Sequence, residues 1–183
     1  MPGMTKAVQA EFTLTILKPD GLRRGLLGST IHRLEEKGLT LSAIALLTAS
    51  PDQIRENYQA NQDEPWFAEM VTFMTSGPLV PMAWWGPNAI DSARQVIGDK
   101  DPWESEAGSV RGKYAADPIR TVVHGSRDPV EALREINLWF PTLLGEERTK
   151  TESAPEPPAR IQALTGGLGQ LLPLKSYAVE RGR

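Results

Sequence analysis

The residues best suited to chemistry in this sequence gather at Val122-Val123-His124-Gly125-Ser126, a histidine set where a strand ends and a helix is about to begin. A neutral imidazole is a good nucleophile near pH 7, and its phosphorylated form is an energetic leaving group for a second transfer. A helix N-terminus close by would favour the anionic phosphates that such chemistry handles. One histidine beside a glycine is also at home as a satisfied structural residue, so its companions decide the reading. Those companions come in separate segments. Ile16-Leu17-Lys18-Pro19-Asp20-Gly21 is followed by Arg24-Gly25-Leu26-Leu27-Gly28, and then by Ser76-Gly77-Pro78. Gly108-Ser109-Val110-Arg111-Gly112 precedes the histidine, and Glu135-Ile136-Asn137-Leu138-Trp139-Phe140 follows it.

The elements that must hold these segments can be read from periodicity. Phe12, Leu14 and Ile16 alternate with Thr13 and Thr15, the period of a half-buried strand, and Lys18-Pro19-Asp20-Gly21 stops it. Leu27, Ile31 and Leu34 recur at helical spacing with Gly38 as the cap, and a second strand spans Leu39 to Leu47. Ser50-Pro51-Asp52-Gln53 has the form of a capping box, which predicts a short helix through Tyr58 and another near Trp66 to Phe73. Leu79 to Trp85 is the third strand, Gly86-Pro87-Asn88 opens a helix that Gly98 closes, and a polar loop runs from Asp99 to about Ser109. Arg120 to Val123 reads as a fourth strand. Asp128-Pro129-Val130-Glu131 caps a last helix with Val130, Leu133 and Ile136 inward. Strands alternating with helices in this order predict an α/β (α+β) fold of the ferredoxin-like, split βαβ kind, a four-stranded antiparallel sheet backed by helices. Residues 1–10 read as a flexible lead-in and 11–145 as the domain. Residues 146–183 form an extension, rich in Pro, Glu, Ser and Ala at first and then in Leu and Gly.

Composition limits the rest. The chain has 183 residues, 40% of them hydrophobic and 23% charged, enough for one domain with a real core. Lys and Arg number 20 against 23 Asp and Glu, a net charge of -3, which argues against a nucleic-acid or anionic-membrane partner. There is no cysteine, which excludes disulfides, a thiolate nucleophile and cysteine-based metal sites; two histidines cannot make a His-based one. No apolar run approaches a membrane span, and residues 1–17 do not read as a secretory signal, so a cytoplasmic protein is the expectation. No G-x-x-x-x-G-K-[ST] run is present, hence no P-loop.

Taken together in this order, without a gap from about Phe12 to Phe140, the segments resemble a nucleoside diphosphate kinase. The resemblance implies transfer of the terminal phosphate of ATP to a nucleoside diphosphate, by a ping-pong route through phospho-His124. It implies Mg²⁺ bound with the nucleotide and a homo-oligomer, trimer-based or a dimer, tetramer or hexamer; Pro102 matches a proline of the loop at the trimer axis. It makes His124 the carrier, attacking through Nδ1, and Lys18 the group that reaches the phosphates and the ribose 3′-hydroxyl. Arg94 and Arg111 fall on phosphate-binding arginines, Tyr58 on a tyrosine at the pocket wall, and Trp66 on the ring that stacks on the base. Glu135 would orient the histidine, and Ser126 would offer a hydroxyl near the phosphate. Singly, each is as well explained by a solvated charge, core packing or an exposed helix position.

Departures from the family pattern keep alternatives open. Thr121 replaces an asparagine that bonds the sugar hydroxyls, Lys100 replaces a phosphate-contacting threonine, and Arg127 replaces an acidic residue beside the site. Arg127 could add a phosphate contact or repel a charged imidazole. The extension after Phe140 has no counterpart. These leave room for a weakened nucleotide-binding or scaffold protein whose tail recruits a partner, or for a kinase specialised for an unusual nucleotide.

Overall fold

The computed structural model describes residues 10–144 and 162–163. The lead-in up to residue 9, and the extension apart from Gln162 and Ala163, lie outside them. Four strands, β1 (Ala10–Leu17), β2 (Thr40–Ile44), β3 (Val80–Pro87) and β4 (Val123–Gly125), form an antiparallel sheet in the order β4-β1-β3-β2. This is the expected ferredoxin-like arrangement. A two-residue strand, β5 (Gln162–Ala163), adds parallel to Ala43 and Ile44 at the outer edge of β2, a pairing the sequence did not foretell.

Helices cover both faces of the sheet. α2 (Leu27–Glu36) and α5 (Ala89–Ile97) lie on one, where Leu34, Ala93 and Ile97 pack on Leu17, Met82 and Trp84. α3 (Pro51–Asn57), α4 (Phe67–Met74) and α7 (Pro129–Trp139) lie on the other, where Ile54, Met74 and Ile136 pack on Leu14, Ile16 and Ala83. β1 is therefore buried on both sides rather than half-buried. Thr13 and Thr15 are fully enclosed, and Thr15 is tolerated there because the indole N–H of Trp84 donates to its hydroxyl at 2.9 Å. Alternation of Thr with apolar residues looks the same in a one-sided strand and in a central one.

Local signals at the ends of elements hold. Ser50 Oγ accepts from Gln53 N while Gln53 Oε1 accepts from Ser50 N, and Asp128 caps α7 by accepting from Glu131 N. Gly38 and Gly98 end their helices at φ of 90° and 94°. Two expectations need correction, and one element adds to them. β2 is shorter than Leu39 to Leu47, ending at Ile44 after a bulge between Leu41 and Ala43. The polar loop is followed by a short helix, α6 (Val110–Tyr114), whose N-cap Ser109 accepts from Gly112 N. On α7 the inward face is Ala132, Glu135, Ile136 and Trp139, whereas Val130 is 78% and Leu133 48% exposed. The apolar stripe was misphased because the helix buries a carboxylate, which no hydrophobicity pattern anticipates.

The fourth strand is displaced as well. Val122 lies at φ +68°, a costly conformation for a β-branched residue, and Val123 N bonds to Thr121 O at 2.7 Å across it. This γ-turn keeps Arg120 to Val122 out of the ladder and delays pairing until Val123. α1 (Pro19–Arg23), begun by a proline at N1, packs against the same turn. Lys18 N bonds to Val122 O at 2.8 Å, and a Cβ on Gly21 would meet that oxygen at 3.0 Å.

Candidate active site

His124 is the middle residue of β4, opposite Ile16 of β1, a strand paired on both sides. Its side chain is 13% exposed. Behind it α7 presents Glu135, 1% exposed, whose Oε1 lies 2.9 Å from His124 Nε2. Burial alone would push Glu135 up, but His124, the Ser126 hydroxyl and Arg134 outweigh it and hold its carboxyl below the usual range. An ionised carboxylate only accepts hydrogen bonds, so His124 Nε2 carries a proton, and in the neutral imidazole Nδ1 then keeps its lone pair. That is the nitrogen left to act as nucleophile.

The Ser126 hydroxyl donates to Glu135 Oε2 at 2.6 Å and accepts from Leu14 N at 3.1 Å. Its proton is therefore engaged by Glu135, which joins Ser126 to the imidazole through the carboxylate. Tyr58, at the end of α3, sets its ring edge-on to the imidazole with centroids 5.0 Å apart. Its hydroxyl is buried without a hydrogen-bond partner among the described residues, and burial next to Glu135 keeps the phenol protonated.

Lys18 and Arg111 bring basic side chains to the same end of the sheet. Lys18 is 5% exposed and donates from Nζ to Ile119 O at 3.0 Å and Thr121 Oγ1 at 2.8 Å. Burial, with Arg111 nearby, lowers its pKa to about 7, against the opposing pull of Asp20 and Asp117. Arg111, on α6, is fixed by Gly98 O at 3.2 Å and Val123 O at 2.9 Å, while its Nε is buried without a partner among the described residues. Burial lowers its pKa to about 10, leaving it charged near neutrality. Orphaned donors on Arg111 and Tyr58 beside an imidazole suit a polar, anionic ligand.

The other expected residues stand further out. Arg94 is exposed on α5, close enough for its charge to act on Arg111, and has no ion-pair partner among the described residues. Lys100 is exposed in the 99–109 loop, and no hydrogen bond ties it to His124, Lys18 or Arg111 among the described residues. Trp66 is 39% exposed at the start of α4, a free flat face. Thr121 is 3% exposed, and its oxygen already receives Lys18. Arg127 is engaged by Asp128 at 3.2 Å and Glu131 at 3.0 Å. Sequence reasoning passed over Asn57 and the role of Trp139. Trp139 Nε1 donates to Asn57 Oδ1 at 2.7 Å and Asn57 Nδ2 faces Glu135 Oε1 at 3.5 Å, with no motif to announce it. A cavity of about 490 Å³ beside Arg94 does not include His124, and with Asp99, Glu104 and Glu106 in its wall it is poorly suited to a polyphosphate.

Comparison with known proteins agrees with this geometry. The model of the nucleoside diphosphate kinase family matches residues 11–143. Nucleoside diphosphate kinases of Thermosynechococcus vestitus and Mycobacteroides abscessus are each 46% identical, over 72% and 73% of this chain and 88% and 98% of their own. Among solved structures, the Encephalitozoon cuniculi nucleoside diphosphate kinase superposes with a TM-score of 0.70 at 35% identity, covering 71% of this chain and 88% of that one. A halophilic nucleoside diphosphate kinase from Halobacterium salinarum, solved in complex with CDP, gives 0.70 at 36% identity, covering 72% and 88%.

Proposed function

Because this chain belongs to the nucleoside diphosphate kinase family, a family of nucleotide phosphotransferases, we propose that His124 is the residue through which it passes phosphate from ATP to a nucleoside diphosphate. The enzyme transfers the terminal phosphate of a nucleoside triphosphate to a diphosphate, and the phosphohistidine ping-pong route is general to the family. In the first half-reaction Nδ1 of His124 attacks the terminal phosphorus, the P–N bond forms as the bond to the leaving diphosphate breaks, and the diphosphate departs. A second diphosphate oxygen then attacks the same phosphorus and regenerates the imidazole. One observation carries the assignment: the ionised Glu135 accepts a hydrogen bond from Nε2–H at 2.9 Å and so reserves the Nδ1 lone pair.

The surrounding cations fit a triphosphate. Arg111, held by two backbone carbonyls, is preorganised, so it reorganises little as charge moves to the leaving oxygen. Arg94 adds an outer positive charge, with Lys100 further out on its loop. Lys18 takes up full charge as phosphates approach, and Thr121, which accepts from it, keeps its own hydroxyl proton for the sugar. Trp66 offers the face for the base. The family is generally Mg²⁺-dependent. Among the described residues no group of three or more His, Asp or Glu gathers as an ion site, and the magnesium enters as part of the nucleotide substrate, held by its phosphates. The family is also generally oligomeric. A homo-oligomer and a cytoplasmic location are part of this reading; exposed Trp103 (79%), Leu46, Val130 and Leu133 offer apolar side chains for subunit contacts.

The test is direct. Full-length protein incubated with Mg²⁺ and γ-labelled ATP should acquire acid-labile, base-stable label, pass it on to added diphosphate, and lose both properties in His124→Asn. Label and turnover retained in that variant would end the assignment.

A further inference from the structure

The polar groups behind Glu135 extend one layer deeper than the catalytic carboxylate. Asn57, the last residue of α3, is 2% exposed. The Trp139 indole nitrogen can only donate, so the atom it meets at 2.7 Å is the Asn57 amide oxygen, and this fixes which way the amide faces. The amide N–H₂ is thereby turned to Glu135 Oε1, 3.5 Å away. Glu135 Oε1 is thus approached by His124 Nε2, by Asn57 Nδ2 and, at 3.8 Å, by Arg134, while Oε2 is taken by Ser126. Both oxygens have partners, and Asn57 is among those that limit how far the carboxylate plane can turn.

Arg134 also ties the backbone of α3 to α7, donating to Glu56 O at 2.7 Å and Asn57 O at 2.8 Å. Glu135 and Trp139 lie four residues apart on one face of α7, so a single helix supplies both the carboxylate and the indole that orients the amide beside it. The end of α3 carries Tyr58 against the imidazole ring as well.

We propose that Asn57, latched by Trp139, is a positioning residue for His124: it holds Glu135 Oε1 where it accepts the hydrogen bond from Nε2–H, and so sets the tautomer with a free Nδ1. The proposal rests on His124 as the phosphate carrier only for its effect on rate; its effect on the tautomer stands alone. A carboxylate free to turn would accept less well from Nε2 and let the Nδ1–H tautomer gain population. That tautomer has no lone pair at the attacking nitrogen.

The experiment uses the full chain with ¹⁵N-labelled histidine, observed by long-range ¹H–¹⁵N spectra at a pH where both imidazoles are neutral. Only His32 and His124 contribute, and His32, exposed and 3.3 Å from Glu36, serves as the internal reference. Wild type should show the Nε2–H form at His124. Asn57→Ala should shift His124 measurably towards the Nδ1–H form, leave His32 unchanged, and lower kcat about three- to tenfold with little change in KM. Trp139→Phe keeps Asn57 but removes its latch, and should move the same signals less; it carries the test alone if Asn57→Ala does not fold. Unchanged His124 nitrogen shifts and kcat in a folded Asn57→Ala, or in Trp139→Phe where that variant decides, would overturn the proposal. A tautomer shift in a protein that never forms phosphohistidine would uphold the positioning and reject His124 as carrier.

Discussion

Lys18 is the residue whose replacement tests the electrostatics of the site most sharply. It is buried, and its pKa is lowered from 10.5 to about 7, chiefly by desolvation and then by Arg111. Between those two values the unfolded chain binds a proton at this position that the folded chain does not, so Lys18 makes stability rise with pH across that window. Below pH 7 the cost is complete, and above about pH 10.5 it is gone. At about 1.4 kcal/mol per pH unit, the cost is roughly 5 kcal/mol at pH 6, roughly 3 at pH 8 and roughly 1 at pH 9.5. Lys18→Met keeps the length of the side chain and removes the charge. It also strands the two acceptors that Lys18 now serves, Ile119 O and Thr121 Oγ1, at about 1 kcal/mol each. The variant should therefore be more stable than wild type by about 3 kcal/mol at pH 6 and about 1 kcal/mol at pH 8. It should become less stable than wild type above roughly pH 9. Urea unfolding of both proteins at one protein concentration, from pH 6 to 10, gives the comparison. Phosphotransfer should be lost in the variant throughout, the usual exchange of function for stability at a charged site. A Lys18→Met protein less stable than wild type at pH 6, or a difference that does not change with pH, would refute the reasoning.

Two further outcomes follow from the same geometry. Nucleotide binding at pH 8 should take up close to one proton, because the phosphates restore charge to a Lys18 that is mostly neutral in the free enzyme. Binding enthalpies measured in buffers of different ionisation heat would reveal it, and identical enthalpies in all of them would count against a depressed Lys18. Gly21→Ala should destabilise by about 1–3 kcal/mol and lower kcat, since the new methyl meets Leu17 Cδ1 at 2.8 Å and Val122 O at 3.0 Å, pressing on the turn that sets His124. Thermal unfolding and initial rates would measure both, and an unchanged Tm would show that the turn is softer than its packing suggests.

Much of this protein could be read in one dimension because the determining interactions are local. The capping box at Ser50, the cap at Asp128 and the helix-ending Gly38 and Gly98 act within a few residues of chain, and the structure realises each of them. The segments around Lys18, Arg111, His124 and Glu135 could likewise be recognised, since each is a short run with its own composition. Interactions across 78 or more residues of chain were decided only by folding. Lys18 meets Thr121, Asn57 meets Glu135, and Ser126 meets Leu14, and none leaves a trace in the spacing of residue types. The same holds for burial. Val130 and Leu133 are apolar yet face outward, while Glu135 turns inward, because a carboxylate satisfied on both oxygens can be buried once its partners converge. Sequence alone singled out His124 and the segments that the fold brings around it. Which nitrogen of His124 is free, how far the charge of Lys18 is suppressed, and that Ser126 serves Glu135 were fixed by three-dimensional neighbours, since desolvation and hydrogen-bond geometry exist only once distant segments pack together.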